Sequence, residues 1–129
     1  MTTFVDLLAS PVLRRNLASA NFSTPTAIQA QSIPAALAGR DVVATAQTGT
    51  GKTLAFSLPI IEALTRGSVV SKPQALVLTP TRELAIQIYE AFTAMAKGTA
   101  RQAVPVVGGV GENPQLQAIR RGAQVIIAT

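Results

Sequence analysis

Short apolar runs alternate with longer amphipathic stretches along this chain. Four runs rich in β-branched and leucine residues predict buried strands, at residues 42–45, 75–78, 103–107 and 125–127. Two amphipathic stretches, residues 54–66 and 82–97, repeat their apolar positions at helical spacing, and a glycine follows each one. Near-continuous apolar strands that alternate with helices indicate a parallel sheet with right-handed crossovers. The pattern therefore predicts an α/β fold with helices on both faces of a parallel sheet.

Capping signals predict shorter helices in the remaining segments. A hydroxyl or amide side chain before a proline, or a proline alone, is typical of a helix start. The predicted starts are Ser10, Thr24, Pro34 and Asn113. Pro59 lies inside the stretch 54–66 and predicts a kink in that helix.

The stretch Ala-Gln-Thr-Gly-Thr-Gly-Lys-Thr at residues 46–53 lies between a predicted strand and a predicted helix. Its glycines allow backbone N–H groups to approach a polyphosphate closely, and the helix start adds donors and a partial positive charge. Lys52 would lie over the β- and γ-phosphates, and the Thr53 hydroxyl would bind Mg²⁺. A glycine-rich turn that merely precedes a helix is the alternative. The strand–loop–helix order favours a phosphate-binding loop, with Ala46 at the position of its usual first glycine.

Composition bounds the class of protein. The 129 residues suffice for one domain at most, and 48% hydrophobic with 13% charged residues describes a folded chain. We expect no membrane span, because no apolar run approaches about 20 residues. The absence of cysteine and of a secretory signal fits the cytoplasm. The net charge of +5 indicates either ordinary solubility or a polyanionic partner, and with five aromatic residues a nucleic acid would be held by its backbone.

The loops that follow the predicted strands should lie together at one edge of the sheet, where ligands bind in such folds. Residues 79–82 and the pair Gly108-Gly109 fall there and form a plausible track for a phosphate backbone. Arg82 with Glu83 could equally be a charge pair at a helix start. None of the six acidic residues follows an apolar strand, so a Mg²⁺-binding carboxylate of the kind that NTP hydrolysis requires is missing.

Taken together, these motifs resemble the amino-terminal part of the first RecA-like domain of DEAD-box RNA helicases. The resemblance covers essentially all 129 residues. Asn-Phe-Ser-Thr-Pro-Thr-Ala-Ile-Gln at 21–29 is similar to the Q motif, which with its upstream aromatic would span about residues 4–30. Residues 46–53 are similar to the family's P-loop, Pro-Thr-Arg-Glu-Leu-Ala at 80–85 to motif Ia, and residues 125–129 to the strand that leads into motif Ib. Residues 108–115 begin with the GG motif and are most similar to the bacterial RhlE-type branch.

The resemblance implies ATP and Mg²⁺ as cofactors and the RNA sugar-phosphate backbone as partner. It implies that Gln29 reads the adenine edge and that Phe4 stacks on the ring. The residues it implies for nucleotide binding are Phe4, Phe22, Thr24, Gln29, Ala46, Gln47, Thr48, Gly49, Thr50, Gly51, Lys52 and Thr53. Of these, Lys52 and Thr53 would be catalytic and Thr53 would also hold the metal. The residues it implies for RNA contact are Pro80, Thr81, Arg82, Gly108, Gly109 and Thr129.

The resemblance is to part of a helicase. The Asp-Glu-Ala-Asp motif and the second RecA-like domain, which closes with the first over ATP and RNA in the family, are not in the sequence. We therefore expect an incomplete helicase ATP-binding domain over residues 1–129 that does not hydrolyse ATP alone. Asn21 replaces the family's usual glycine, which a left-handed turn accommodates. A non-catalytic nucleotide- or RNA-binding module, and a fragment that does not fold alone because a strand edge is uncovered, remain open interpretations.

Overall fold

The computed structural model describes residues 2–47, 49 and 51–129. In chain order its elements are α1 (Phe4–Leu7), α2 (Pro11–Ser19), α3 (Ala27–Leu37), α4 (Lys52–Arg66), β1 (Ala75–Leu78), α5 (Arg82–Ala96), β2 (Ala103–Val106), α6 (Glu112–Arg120) and β3 (Val125–Ala128). They form two compact units, one ending at Gly67 and one beginning at Ser68. Among the residues described, no helix has the length and apolar character needed to cross a membrane.

The second unit contains a parallel sheet in the order β1-β3-β2. Val125 of β3 pairs with Ala75 of β1 and with Ala103 of β2, so β3 lies at the centre. Its Val125 and Ile127 are fully buried, as expected for the middle strand of a parallel sheet. These three strands were predicted from their apolar runs, and the α/β class is confirmed.

Helix α5 shows how the sequence determines both ends of an element. The Thr81 hydroxyl accepts a hydrogen bond from the Leu84 N–H at 3.2 Å and so caps the helix. Apolar side chains at helical spacing, Ile88, Phe92 and Met95, are buried where α5 packs on β2 and β3. Gly98 follows with a φ of +83°, a left-handed conformation that glycine adopts readily.

The first unit consists of helices. Helices α3 and α4 pack on each other and bury Ile33, Leu58 and Ile61 completely. The predicted Ser10 cap is confirmed, because its hydroxyl accepts from the Leu13 N–H at 3.3 Å.

The prediction of a buried strand at residues 42–45 is wrong. These residues have no strand assignment, and the Val43 side chain is 99% exposed. A parallel strand needs a neighbouring strand for its backbone hydrogen bonds, and none of the described strands pairs with this segment. An apolar, β-branched run indicates a tendency to form a strand, but it does not show whether another strand lies beside it.

Three predicted helix starts, at Thr24, Pro34 and Asn113, are also wrong. Residues 24–39 were expected to form two short helices, but α3 is continuous, is capped at Thr26 and contains Pro34. Helix α6 begins at Glu112 rather than after Asn113. Pro114 is then the third helical residue, in a first turn whose N–H groups lack helical partners, so its missing N–H costs nothing there. Helix α4 runs through Pro59, and the kink expected there stays a prediction.

Candidate functional site

The glycine loop leads directly into α4. Gly51 is the residue before the first helical position and has a φ of +87°, and Gly49 has a φ of +85°. Both values lie in the left-handed region that favours glycine. Lys52 is the first residue of α4 and is exposed, while Thr53 is partly exposed in the same turn.

Two further residues of this loop are described by the structure. Ala46 is partly exposed and Gln47 is exposed. Thr48 and Thr50, both assigned to nucleotide binding by the resemblance, lie outside the described residues. Ala46 also lines a cavity of about 650 Å³ between residues 42–46 and the first turns of α3.

Gln29 joins the segment 21–29 to the glycine loop. Its side chain is only 2% exposed. Its Oε1 accepts a hydrogen bond from the Thr26 N–H at 3.0 Å, and its Nε2 donates to the Gly51 carbonyl at 3.2 Å. A Cβ at Gly51 would collide with Gln29 Nε2, so the close approach depends on glycine. Gln29 and Gly51, which lie 22 positions apart in the sequence, therefore bring the two motifs into direct contact.

Phe4 and Phe22 line one cavity of about 410 Å³ between α1, α2 and the loop after α2. Phe4 is 5% exposed, whereas Phe22 is exposed. Asn21 lies beside them with a φ of +65°, the left-handed turn that its sequence position predicted. The cavity is large enough for a nucleobase-sized ligand. Gln29 does not line it, and Thr24 is exposed in the loop between the two features.

A capping box holds the short helix that carries Phe4. The Asp6 carboxylate accepts hydrogen bonds from the Thr3 N–H at 2.8 Å and from the Thr3 hydroxyl at 2.9 Å. These hydrogen bonds, the backbone one first, lower the pKa of Asp6 below its ordinary value of 3.8. Sequence analysis missed α1, although the Thr-x-x-Asp spacing of a capping box was visible.

In the second unit Arg82 lies beside Gly109, the second residue of the glycine pair. Its Nη1 is 2.9 Å from the position that a Cβ on Gly109 would occupy, and Gly109 has a φ of +82°. Pro80, Thr81 and Gly108 are exposed around this contact. Arg82 therefore lies beside Gly109, and its assignment to RNA contact stays a prediction. Thr129 is exposed, and its N–H donates to the Val106 carbonyl at 3.2 Å.

Gln115 organises the loop that carries the glycine pair, and sequence analysis did not identify it. Its Oε1 accepts from the N–H of buried Val107 at 2.7 Å. Its Nε2 donates to the carbonyls of Val110 at 3.2 Å and Gly111 at 3.3 Å. One side chain thus fixes both ends of the loop 107–111. A single glutamine in a polar helix gives no sequence signal for this role.

The parallel sheet, its flanking helices and the glycine loop at the start of α4 define an α/β domain of the RecA-like class. The family model for DEAD/DEAH box helicases matches residues 26–129, which is most of the chain. The chain belongs to the DEAD/DEAH box helicase family.

Similar proteins agree with this assignment. The chain is 48% identical over 128 residues to the ATP-dependent RNA helicase DeaD of Mycobacterium tuberculosis, covering 98% of the chain and 22% of that protein. It is 45% identical over 127 residues to the DEAD-box ATP-dependent RNA helicase RhpA of Helicobacter pylori, covering 98% of the chain and 25% of RhpA. The chain therefore spans between 22% and 25% of the length of these relatives.

Solved structures show the same fold. A DEAD box protein from the hyperthermophile Methanococcus jannaschii aligns with a TM-score of 0.89 at 32% identity, over 100% of this chain and 35% of that one. The RNA helicase Prp28 from Chaetomium thermophilum, bound to ADP, aligns with a TM-score of 0.83 at 37% identity, over 93% of this chain and 30% of that one. The predicted family is confirmed, while the RhlE-type branch stays a prediction.

Proposed function

We propose that this chain is the ATP-binding and RNA-contacting part of an ATP-dependent RNA helicase that opens RNA duplexes locally in the cytoplasm. One observation carries the proposal: Gln29 holds the segment similar to the Q motif against the glycine loop through the Gly51 carbonyl. The relatives DeaD and RhpA, both named ATP-dependent RNA helicases, support it.

The phosphates of the nucleotide bind at the start of α4. The N–H groups in the first turn of a helix have no helical partners, and with the helix dipole they favour an anion at that end. Lys52 adds a compact, exposed positive charge at the first helical position. The Thr53 hydroxyl in the same turn is an oxygen donor of the type that Mg²⁺ prefers, so Thr53 would hold the metal. A bound metal would supply positive charge that offsets part of the negative charge of the phosphates.

Gln29 recognises adenine through the amide donor and the acceptor lone pair that do not bond to Thr26 or Gly51. An amide side chain offers two N–H donors and two acceptor lone pairs. Thr26 takes one lone pair and the Gly51 carbonyl takes one donor. One donor and one lone pair remain, and that pair matches the N7 acceptor and N6 donor of adenine. Phe4 and Phe22 supply aromatic surface for the base in a separate cavity of about 410 Å³ in the same unit.

RNA contacts come from the second unit. Arg82 beside the glycine pair presents a guanidinium next to exposed backbone, which suits a phosphate oxygen. Pro80, Thr81 and Thr129 lie on exposed backbone at the same ends of the strands. Contacts to sugar and phosphate carry no base information, so binding is independent of RNA sequence.

We expect the chain alone to bind ATP without hydrolysing it. Hydrolysis needs an acidic residue beside the nucleotide for the metal and a group that positions the attacking water. Five of the six acidic residues lie in helices, and Asp41 precedes residues 42–46. None of the six follows a strand, and we therefore place hydrolysis and duplex opening in a longer helicase such as its relatives.

A thermal melt with and without Mg-ADP tests the proposal. Ligand at about a hundred times its dissociation constant should stabilise the folded chain by about 2.7 kcal/mol. Lys52→Ala should abolish the shift while leaving the melting temperature without ligand nearly unchanged, because Lys52 is exposed. Lys72→Ala, at an exposed lysine in the other unit, is the matched control. A chain whose melt ignores Mg-ADP, or a Lys52→Ala variant that still shifts, would contradict the proposal.

A further inference from the structure

Glu62 is the one acidic side chain that is buried among the residues described. It lies on α4 and is 1% exposed, whereas the other five acidic residues are exposed. Its Oε1 accepts hydrogen bonds from the backbone N–H groups of Ala9 and Ser10, the latter at 3.0 Å. A buried carboxyl group is costly unless it is hydrogen-bonded, so this contact fixes where Ala9 and Ser10 lie relative to α4.

Arg14 holds the same segment from α2. Its Nε donates to the Leu8 carbonyl at 2.8 Å, and its Nη2 donates to the Val5 carbonyl at 3.0 Å. We call residues 5–10 the upstream segment. Glu62 therefore accepts from N–H groups of the upstream segment, and Arg14 donates to its carbonyls. Phe4, which directly precedes this segment, and Leu8 within it are both buried, and the Leu8 N–H donates to the Phe4 carbonyl.

We propose that Glu62 is a positioning residue for the nucleobase: it fixes the upstream segment, and with it Phe4, to the helix that begins with Lys52. Lys52 and Glu62 are both on α4, about 15 Å apart along its axis at 1.5 Å per residue. The helix thus sets the distance between the phosphate contacts at one end and the aromatic contact held at the other. This inference rests on the proposed function, in which Phe4 contacts adenine and Lys52 contacts phosphate.

A purely structural role for Glu62 makes a different prediction. If Glu62 only stabilised α2, its removal would weaken every ligand of this unit to the same degree. Positioning of Phe4 affects only ligands that carry a base. Comparing Mg-ADP with magnesium tripolyphosphate, which has phosphates and no base, separates the two roles.

The test measures both dissociation constants by calorimetry for the full chain and its variants. Glu62→Met removes the acceptor at similar volume, and Glu62→Gln keeps an oxygen that can accept from the same N–H groups. Glu62→Met should weaken Mg-ADP about tenfold, the size expected for losing one base–aromatic stacking contact. Tripolyphosphate binding should not change, and Glu62→Gln should restore most of the ADP affinity. Equal losses for both ligands, or no loss for either, would overturn the inference.

Arg14 provides an independent route if Glu62→Met does not fold. Arg14→Met removes the two hydrogen bonds to the upstream segment, and Arg15→Met, at an exposed neighbour on the same helix, is the control. Arg14→Met should lower the ADP affinity relative to tripolyphosphate, and Arg15→Met should not. Identical behaviour of the two variants would overturn the inference.

Phe4→Leu distinguishes failure of the inference from failure of the proposed function. This variant keeps an apolar side chain at a buried position but removes the ring. If Phe4→Leu lowers ADP affinity selectively and Glu62→Met does not, only the positioning role is wrong. If neither Phe4→Leu nor Lys52→Ala changes either ligand, the proposed nucleotide site is wrong, and the inference with it.

Discussion

Two glycines of the same loop differ in why a larger residue would not fit: both have a positive φ, but only one has a close neighbour. Gly49 and Gly51 have nearly equal positive φ values, but nothing approaches a Cβ at Gly49, whereas a Cβ at Gly51 meets Gln29 and Thr26. The left-handed conformation alone should cost either alanine variant about 1–2 kcal/mol. Gly51→Ala must also displace the Gln29 amide from its hydrogen bond with Gly51, which adds about 1 kcal/mol.

We therefore expect Gly51→Ala to be less stable than Gly49→Ala, and its preference for ADP over GDP to be lower. Chemical denaturation gives the free energies of unfolding, and competition binding gives the base preference. Gly49→Ala serves as the matched control for backbone strain. Equal stabilities for the two variants would show that the Gln29 contact contributes nothing.

Residue types in local motifs were predictable, and partners distant in sequence were not. Lys52 and Thr53 follow from a continuous eight-residue pattern, and the structure places both in the first turn of α4. The sequence gives no indication that Glu62 binds Ala9 and Ser10 across more than fifty residues. Such a contact arises only when packing brings two elements together, so periodicity and spacing cannot reveal it.

At the scale of elements, the helix that carries Phe4 depends on its capping box. Because hydrogen bonds from Thr3 lower the pKa of Asp6 in the folded chain, its charged form stabilises that state. The contribution is fully present above the ordinary value of 3.8 and is lost as the pH falls through the lowered pKa. Asp6→Asn should therefore melt at a lower temperature than wild type near neutral pH, and the difference should vanish in strong acid.

Melting temperatures across this pH range check the prediction. Thr3→Val removes the hydroxyl that caps α1, so its effect should not add to that of Asp6→Asn. A difference between wild type and Asp6→Asn that stays constant down to strongly acidic pH would show that the carboxylate does not contribute through its charge.

The loop 107–111 depends on a single side chain of the following helix. Gln115→Met removes the acceptor for the buried Val107 N–H and should destabilise the chain by about 1–3 kcal/mol. The loop also carries Gly108 and Gly109, so binding of a short fluorescent oligouridine should weaken by about tenfold, or roughly 1.4 kcal/mol. Gln117→Met, at an exposed glutamine on the same helix, should change neither quantity.

Salt dependence distinguishes this positioning role from a direct phosphate contact. Gln115→Met removes no charge, so the slope of log affinity against log salt should stay the same. Arg82→Met should reduce the magnitude of that slope by about one. A changed slope for Gln115→Met, or an unchanged one for Arg82→Met, would contradict these assignments.

Elements differ in how far their own sequence determines them. Helices α2 and α5 form as predicted because a capping side chain and an apolar stripe lie within each segment. The strand predicted at residues 42–45 does not form, because its hydrogen bonds would have to come from another segment. Local rules therefore suffice where a segment carries its own cap and apolar stripe, whereas a strand depends in addition on a neighbouring strand.

At the scale of the whole molecule, each unit contains one of the two proposed binding sites. The nucleotide candidates lie in the unit that ends at Gly67, and the RNA candidates lie in the unit that begins at Ser68. The resemblance of its motifs to the family predicted the family and implied both sets of residues, because each motif is continuous in sequence. Which helix covers which strand face depends on packing and could not be predicted from motifs.

The edge of the sheet gives the last prediction. Within the described part of the chain, strand β1 pairs with β3 and with no other strand, and its Leu76 and Leu78 are 61% and 71% exposed. An edge strand with free N–H and carbonyl groups and exposed leucines is a template for pairing with another chain. We therefore expect the chain to associate with itself as its concentration rises, which sedimentation velocity can measure.

Leu76→Lys should suppress association because a charge disfavours a new strand partner, whereas Val110→Lys, at an exposed valine outside the sheet, should not. A chain that stays monomeric at every concentration, or two lysine variants that behave alike, would show that β1 is not the associating surface.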